Sequence, residues 1–344
     1  MRSLASPDDR RPVAWGDSIL LRLIGLTAIL VLAAGISIGT GAAAVPIATV
    51  LEALFGGADA TTRAIVLDLR LPRIILATLV GGGLAVSGAA FQALLRNPLA
   101  EPYILGVSGG AAVGAVAATV LGFAAVLPWA VPLAAFTGAM LAIVLVFWIA
   151  IRVGRGLDTR VLLLAGVVIG AFFNAVIFLL LTFADVESFR SAVFWMMGSL
   201  SSASWATTVL AGAYVVPLTI AIVALARTFN LLALGDETAH YLGVRVERAR
   251  IAAYIMASLI VAAAVATCGV IGFVGLIVPH ALRMPWGSDH RFLLPGSFLA
   301  GGAFLLVMDT AARTLAAPAE LPVGVITAIV GVPLFVVILV RSLP

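Results

Sequence analysis

Long apolar runs, cut by clusters of Pro, Gly and charge, set the organisation of this chain. Ten runs have the length and composition of membrane spans, at about 19–39, 71–93, 103–122, 128–151, 161–183, 206–226, 250–268, 270–284, 294–312 and 322–341. A span needs roughly 20 apolar residues to cross the hydrocarbon core. The seventh and eighth runs are nearly continuous, and only Gly269 and Gly272 predict a break between them. A short helix bounded by glycines is expected inside the polar segment 231–250. The predicted fold is all-α: a polytopic membrane protein with a tail over 1–18 and one transmembrane domain over 19–344.

Composition leads to the same solvent. The chain is 63% apolar and 10% charged, with mean hydropathy +1.20, against about 25% charged in soluble domains. Too little polar surface remains to cover such a chain in water, so membrane lipid is a partner along most of its length. Arg10 and Arg11 precede the first apolar run. That run exceeds a signal-peptide core of about 7–15 residues, so it reads as an uncleaved span with a basic anchor.

All 20 basic residues are arginine, which removes lysine Schiff-base and phosphate-loop chemistry. No basic run with interleaved aromatics points to nucleic acid, and topology accounts for the arginines. With ten spans and a cytoplasmic N-terminus, 15 arginines fall inside, and five fall outside: Arg63, Arg70, Arg73, Arg190 and Arg313. This is the bias of the positive-inside rule. With ten spans it places both termini in the cytoplasm, whereas fusing the seventh and eighth runs into one span would place the C-terminus outside.

Polar groups within the spans are few. Asn174 is the clearest mid-span example, with Asp309 near the outer end of one run and His280 near the inner end of another. No second His or Cys accompanies His280, so a packed or capping role is expected. Cys268 is the single cysteine. Gly106, Gly110 and Gly114 recur at i+4 and predict close helix packing. Ion-coupled carriers keep carboxylates or histidines at mid-membrane, and this chain offers no convincing set. An ion-coupled secondary transporter or channel is therefore the alternative reading, and an intramembrane enzyme lacks a convergent acid or histidine cluster.

Within 231–250, Asp236 and Glu237 favour a helix N-terminus and Gly243 suits its end. Ala239, Tyr241 and Leu242 are expected to present apolar surface, either to the membrane interface or to a soluble partner. This segment resembles the coupling region of the FecCD/BtuC-like permeases, the type II ABC importers for iron-siderophores, haem and cobalamin. Further matches follow in family order: LRLPR at 69–73, Ser87-Gly88 with RNPLAEP at 96–102, LGVS at 105–108, WMMG at 195–198, GFVGLIVPH at 272–280 and AELPVG at 319–324.

The resemblance implies a transport subunit of the bacterial cytoplasmic (inner) membrane that pairs with a second copy of itself. Two ATP-binding-cassette ATPase subunits would carry ATP and Mg, with no cofactor on this chain. A periplasmic or lipid-anchored binding protein would deliver a bulky metal chelate, iron-siderophore being favoured over haem and cobalamin. The resemblance assigns binding-protein docking to Arg70, Arg73 and Arg313, which otherwise pair with Asp68, Asp309 or Glu320. It assigns ATPase coupling to Gly235, Asp236, Glu237, Ala239, Leu242 and Gly243. The cytoplasmic gate falls on Asn97, Leu99 and Thr159, although Arg160 departs from the small polar residue expected there, and Asn97-Pro98 also suits a plain helix stop. Arg190 and Asn174 are candidate substrate contacts, Arg190 having Asp185 or Glu187 as alternative partners.

Overall fold

A computed structural model describes residues 15–41, 45–127, 129–153 and 159–342, so the expected tail lies almost wholly outside the described residues. The described chain is helical, without a strand. It forms α1 (Trp15–Gly39), α2 (Ile47–Phe55), α3 (Ala60–Arg63), α4 (Leu71–Leu94), α5 (Val107–Val120), α6 (Phe123–Val126), α7 (Ala130–Val153) and α8 (Thr159–Thr182). There follow α9 (Val186–Met196), α10 (Trp205–Ala224), α11 (Ala226–Ala233), α12 (Asp236–Tyr241), α13 (Val246–Cys268), α14 (Val274–Trp286), α15 (His290–Thr314) and α16 (Val323–Ser342).

Each of the ten expected runs contains a helix: α1, α4, α5, α7, α8, α10, α13, α14, α15 and α16. Among the described residues, seven helical segments are long and apolar enough to cross a bilayer unaided. With 14 and 13 residues, α5 and α14 rise only about 20 Å each, short of a core about 30 Å thick. A 3-10 turn, Pro102–Leu105, extends α5 on one side. The break foreseen at Gly269 lies between α13 and α14, where Gly269 has φ 69° and Phe273 φ 70°. A bulky residue rarely adopts that conformation. The Phe273 N–H donates to Glu101 Oε1 at 2.8 Å, which ties the break to the turn after α4.

The second run extends further outward than predicted. Helix is continuous from Ala60 to Leu94, 35 residues, through a π-helical turn at Ala64–Arg70. Pro72 lies inside this helix, where a proline removes a donor and crowds the preceding turn. Here the Leu71 N–H bonds to Val66 O, a wider register that accommodates the ring. The Pro72 carbonyl also accepts from Thr208 Oγ1 at 3.1 Å. Helices α2, α9 and α11 also add to the ten expected runs.

Helix α4 is the central post. In its most apolar window 89% of residues are buried, against 6% in α1, and α10, α13, α14 and α15 surround it. Lipid gives no hydrophobic drive between helices, so close backbone approach does the work. A Cβ on Gly88 would collide with the Gly275 backbone, and one on Gly81 with Gly301. The stripe at Gly110 and Gly114 packs in the same way against Gly138 and Ala134 of α7. Exposed apolar faces remain on α8 (Leu164, Val167, Phe178) and α16 (Ile329, Val336, Val340).

Candidate functional site

The N-terminal end of α4, expected to face outward, carries a buried charge network. Asp309 of α15, with 0% side-chain exposure, receives Arg73 Nε and Nη2 at 3.0 and 2.9 Å, and Arg313 Nε lies 3.2 Å away. Arg73 Nη1 turns outward to Glu320 Oε2 at 2.9 Å, and Glu320 is 42% exposed. Arg313 also donates to Ser37 Oγ at 2.8 Å and Thr40 O at 3.2 Å, while Arg70 donates to Ile38 O at 2.6 Å. Arg70, Arg73 and Arg313 therefore cross-link α1, α4 and α15, and Glu320 is the acidic group of this network that faces out. Among the described ion pairs, two of the three partners read from sequence appear, Asp309 and Glu320.

Below Glu320 lies a recess of about 310 Å³, lined by Trp195, Ser199, Ser201, Ser202, Thr267 and Cys268 among others. The serines follow Gly198, whose φ of 70° turns the chain out of α9. Sequence reasoning passed over them, because serines spaced by one or two residues in a loop carry no periodic signal.

Arg190 is exposed on α9 with its guanidinium 5.7 Å from the Phe194 ring centroid. Neither of its expected acidic partners reaches it among the described ion pairs. Asp185 instead caps α9, and the Ser188 N–H at 2.9 Å holds its carboxyl below the usual range. Asn174 is exposed midway along the open face of α8, on a different helix from the serine recess. The described residues contain no group of three His, Cys, Asp or Glu able to hold a metal.

At the other end of α4 the chain reverses through Arg96, which has φ 47°. Asn97 Oδ1 accepts from the Leu99 N–H at 2.9 Å and shapes the turn. Leu99 packs with Leu276 and Ile277 of α14 and Ile338 of α16. Gln92 ties the same turn to α14, donating to Ala100 O and Leu276 O and accepting from Arg283. Asn97 and Leu99 thus share one turn. Thr159 opens α8, and its side chain lies outside the described residues.

The glycine-bounded helix in 231–250 is α12. Gly235 (φ 119°) and Gly243 (φ 85°) supply backbone conformations that side chains resist. Asp236 sits in its first turn and accepts from both Arg96 Nη2 and Arg250 Nη2, the latter at 2.9 Å. Arg96 also donates to Leu232 O at 3.2 Å. One carboxylate therefore joins α12 to the turn after α4 and to the start of α13. The apolar surface differs from expectation at one position: Ala239 is fully buried against the chain. A helix of under two turns has an inner face, and Ala239 occupies it. The outward surface is Tyr241, 87% exposed, with Leu242, Leu234 and Glu237.

Residues 29–341 match the model of the FecCD transport family. The chain belongs to that family. Among FecCD relatives, it is 44% identical over 285 residues to the hemin transport system permease protein HmuU of Yersinia pestis, covering 80% of this chain and 83% of that one. It is 47% identical over 283 residues to the cobalamin import system permease protein BtuC of Halobacterium salinarum, covering 82% and 75%. A solved structure described as an inward-facing ABC transporter of metal-chelate type superposes with a TM-score of 0.84 at 34% identity, over 93% of this chain and 98% of the other. This FecCD chain is accordingly a multi-pass membrane protein with the fold of that transporter.

Proposed function

We propose that this chain is the permease subunit of an ATP-driven importer in the cytoplasmic membrane, moving a metal chelate inward with both termini in the cytoplasm. The FecCD match across residues 29–341 carries this reading. The relatives named for hemin and cobalamin favour a tetrapyrrole cargo, haem or a corrinoid, over an iron-siderophore. Two copies pair through the open faces of α8 and α16, which puts Asn174 near the pathway between them. The Asn97–Leu99 turn and Thr159 close its inner end, and the serine recess with Arg190 receives cargo at its outer end.

Two ATPase subunits carry ATP and Mg and dock on α12. Tyr241 and Leu242 give them an apolar foothold, and Asp236 relays their motion to the turn after α4. A binding protein docks at the outer mouth, where one of its carboxylates displaces Glu320 from Arg73, while Arg70 and Arg313 hold the mouth in shape. The buried Asp309 is compensated by two arginines, which argues against a proton-carrying site and hence against an ion-coupled carrier.

The test is uptake into proteoliposomes holding the chain, its ATPase and its binding protein, offered haem, cobalamin and a ferric siderophore in turn. Uptake of a tetrapyrrole that requires internal ATP is expected. Uptake driven by an ion gradient with no ATPase present would reject the reading. Tyr241→Glu should lower ATPase capture at least tenfold and leave the thermal midpoint of the free permease unchanged, measured by pull-down and unfolding in detergent. Full capture would remove α12 as the dock.

A further inference from the structure

Away from both charge networks, a recess of about 730 Å³ opens between α1, α4, α10 and α15. Its walls include Leu23, Ile74, Ile220 and Phe298, and the polar atoms among them are hydroxyls. Thr27 and Thr78 bond their own helices, donating to Leu23 O at 2.8 Å and Ile74 O at 2.9 Å. Thr219 differs. It lines the recess at 7% exposure, and its hydroxyl is buried without a hydrogen-bond partner. Enclosed in this way, it does not reach a group in the recess, and Thr219 adds to the apolar wall through its methyl.

One end of the recess is basic. Leu23 and Val223 mark that end. Arg22 adjoins Leu23, and Arg227 follows Val223 by one helical turn's length of chain. The Arg22 guanidinium lies 5.7 Å from the Phe292 ring centroid, and Arg227 is exposed. Among the described residues neither forms an ion pair. The nearby carboxylate of Asp289 is already engaged, accepting from Arg291 Nη2 at 2.8 Å and Asn230 Nδ2 at 2.7 Å. An apolar furrow at membrane depth thus ends in two cations without an anion.

We propose that this recess binds an anionic phospholipid. One acyl chain lies along Ile220 and Phe298, and the phosphate sits between Arg22 and Arg227. Two cations at one end select the headgroup charge, and the apolar walls exclude a free anion. The recess faces the leaflet in which α1 begins, the arginine-rich side of the chain.

The purified full chain in neutral detergent, titrated with phosphatidylglycerol or phosphatidylcholine of matched acyl chains and read by native mass spectrometry, tests this. One phosphatidylglycerol per chain is expected, bound roughly thirtyfold more tightly than phosphatidylcholine, the effect of two basic residues at an anionic headgroup. R22Q/R227Q should bring the two lipids level. Those side chains break no described ion pair, so the fold should stand. Equal binding of the two lipids by the unaltered chain overturns the proposal, as does a preference that survives R22Q/R227Q. Competition by inorganic phosphate would assign the arginines to a free anion and overturn it too. Cross-linking of I220C to itself in a bilayer would show a second copy in the recess, with the same consequence.

Discussion

One carboxylate held by two arginines occurs at both ends of α4, and the two versions differ in burial. At the outer end Asp309 is fully enclosed and Arg73 is 12% exposed; at the inner end Asp236 and Arg96 are both 43% exposed. Removing one partner from an enclosed pair leaves an uncompensated charge in a low dielectric. Solvent softens the same loss at an exposed pair. The outer network therefore has the energetics of a clamp, fixing α1, α4 and α15 together. The inner one has those of a joint, cheap enough to break and re-form as α12 moves. If the chain moves cargo by rearranging its inner end while the outer mouth stays in shape, this asymmetry is what it needs.

The largest expected effect comes from breaking the clamp. Asp309→Ala leaves the Arg73 and Arg313 guanidinium groups without their shared buried anion. A loss of about 3–5 kcal/mol is expected, the usual cost of breaking a buried pair from one side. Thermal unfolding of the purified chain in detergent would show it as a marked fall in midpoint, with a lower yield from membranes. An unchanged midpoint would mean that the network contributes no more than a surface pair.

The joint should respond in the opposite manner. Asp236→Asn is expected to cost less than Asp309→Ala in the same unfolding measurement, because Asp236 and Arg96 are both 43% exposed and only Arg250, at 17%, is largely enclosed. Its consequence should appear in transport. With α12 no longer tied to Arg96, ATP hydrolysis by the assembled complex should continue while uptake falls at least tenfold. An Arg96→Gln chain should behave alike, and the double variant should be no worse than either single one, as expected of two residues in one linkage. Equal losses of hydrolysis and uptake would make Asp236 an ATPase contact and not a relay.

Legibility in sequence followed the same division. The ten apolar runs were readable because length and hydropathy are local properties, and α12 was readable because Gly235 and Gly243 bracket it. The direction of Ala239 was not, since a helix of under two turns has too few residues for an apolar stripe to declare its inner side. The extension of α4 back to Ala60 was not legible either, because the π-helical turn at Ala64–Arg70 has no sequence mark. The outer arginines could be listed with their acidic candidates. Which acid was enclosed depended on α4 and α15 lying side by side, a contact made by Gly81 and Gly301, 220 positions apart. The Asp236 linkage was hidden for the same reason, with its partners 140 and 14 residues away.

The smallest effect on stability, and the sharpest probe of the outer mouth, belongs to Glu320. Its carboxylate is 42% exposed and, among the described hydrogen bonds and ion pairs, meets the outward Nη1 of Arg73, whose other nitrogens remain on Asp309. Glu320→Gln should therefore change stability by less than about 1 kcal/mol. Binding should respond differently. If a partner carboxylate must displace Glu320 to reach Arg73, removing that competitor lowers the barrier to exchange and leaves one cationic face open. The variant should then bind the partner a few-fold more tightly than the native chain, and the gain should shrink at high salt, as exposed charge pairs are screened beyond about 8–10 Å. A docking titration at two salt concentrations, with native and Glu320→Gln chains side by side, reads the difference directly. Weaker docking by the variant would show that Glu320 is itself a contact for a basic partner surface. Unchanged docking would place the partner elsewhere and leave Arg73 as part of the clamp alone.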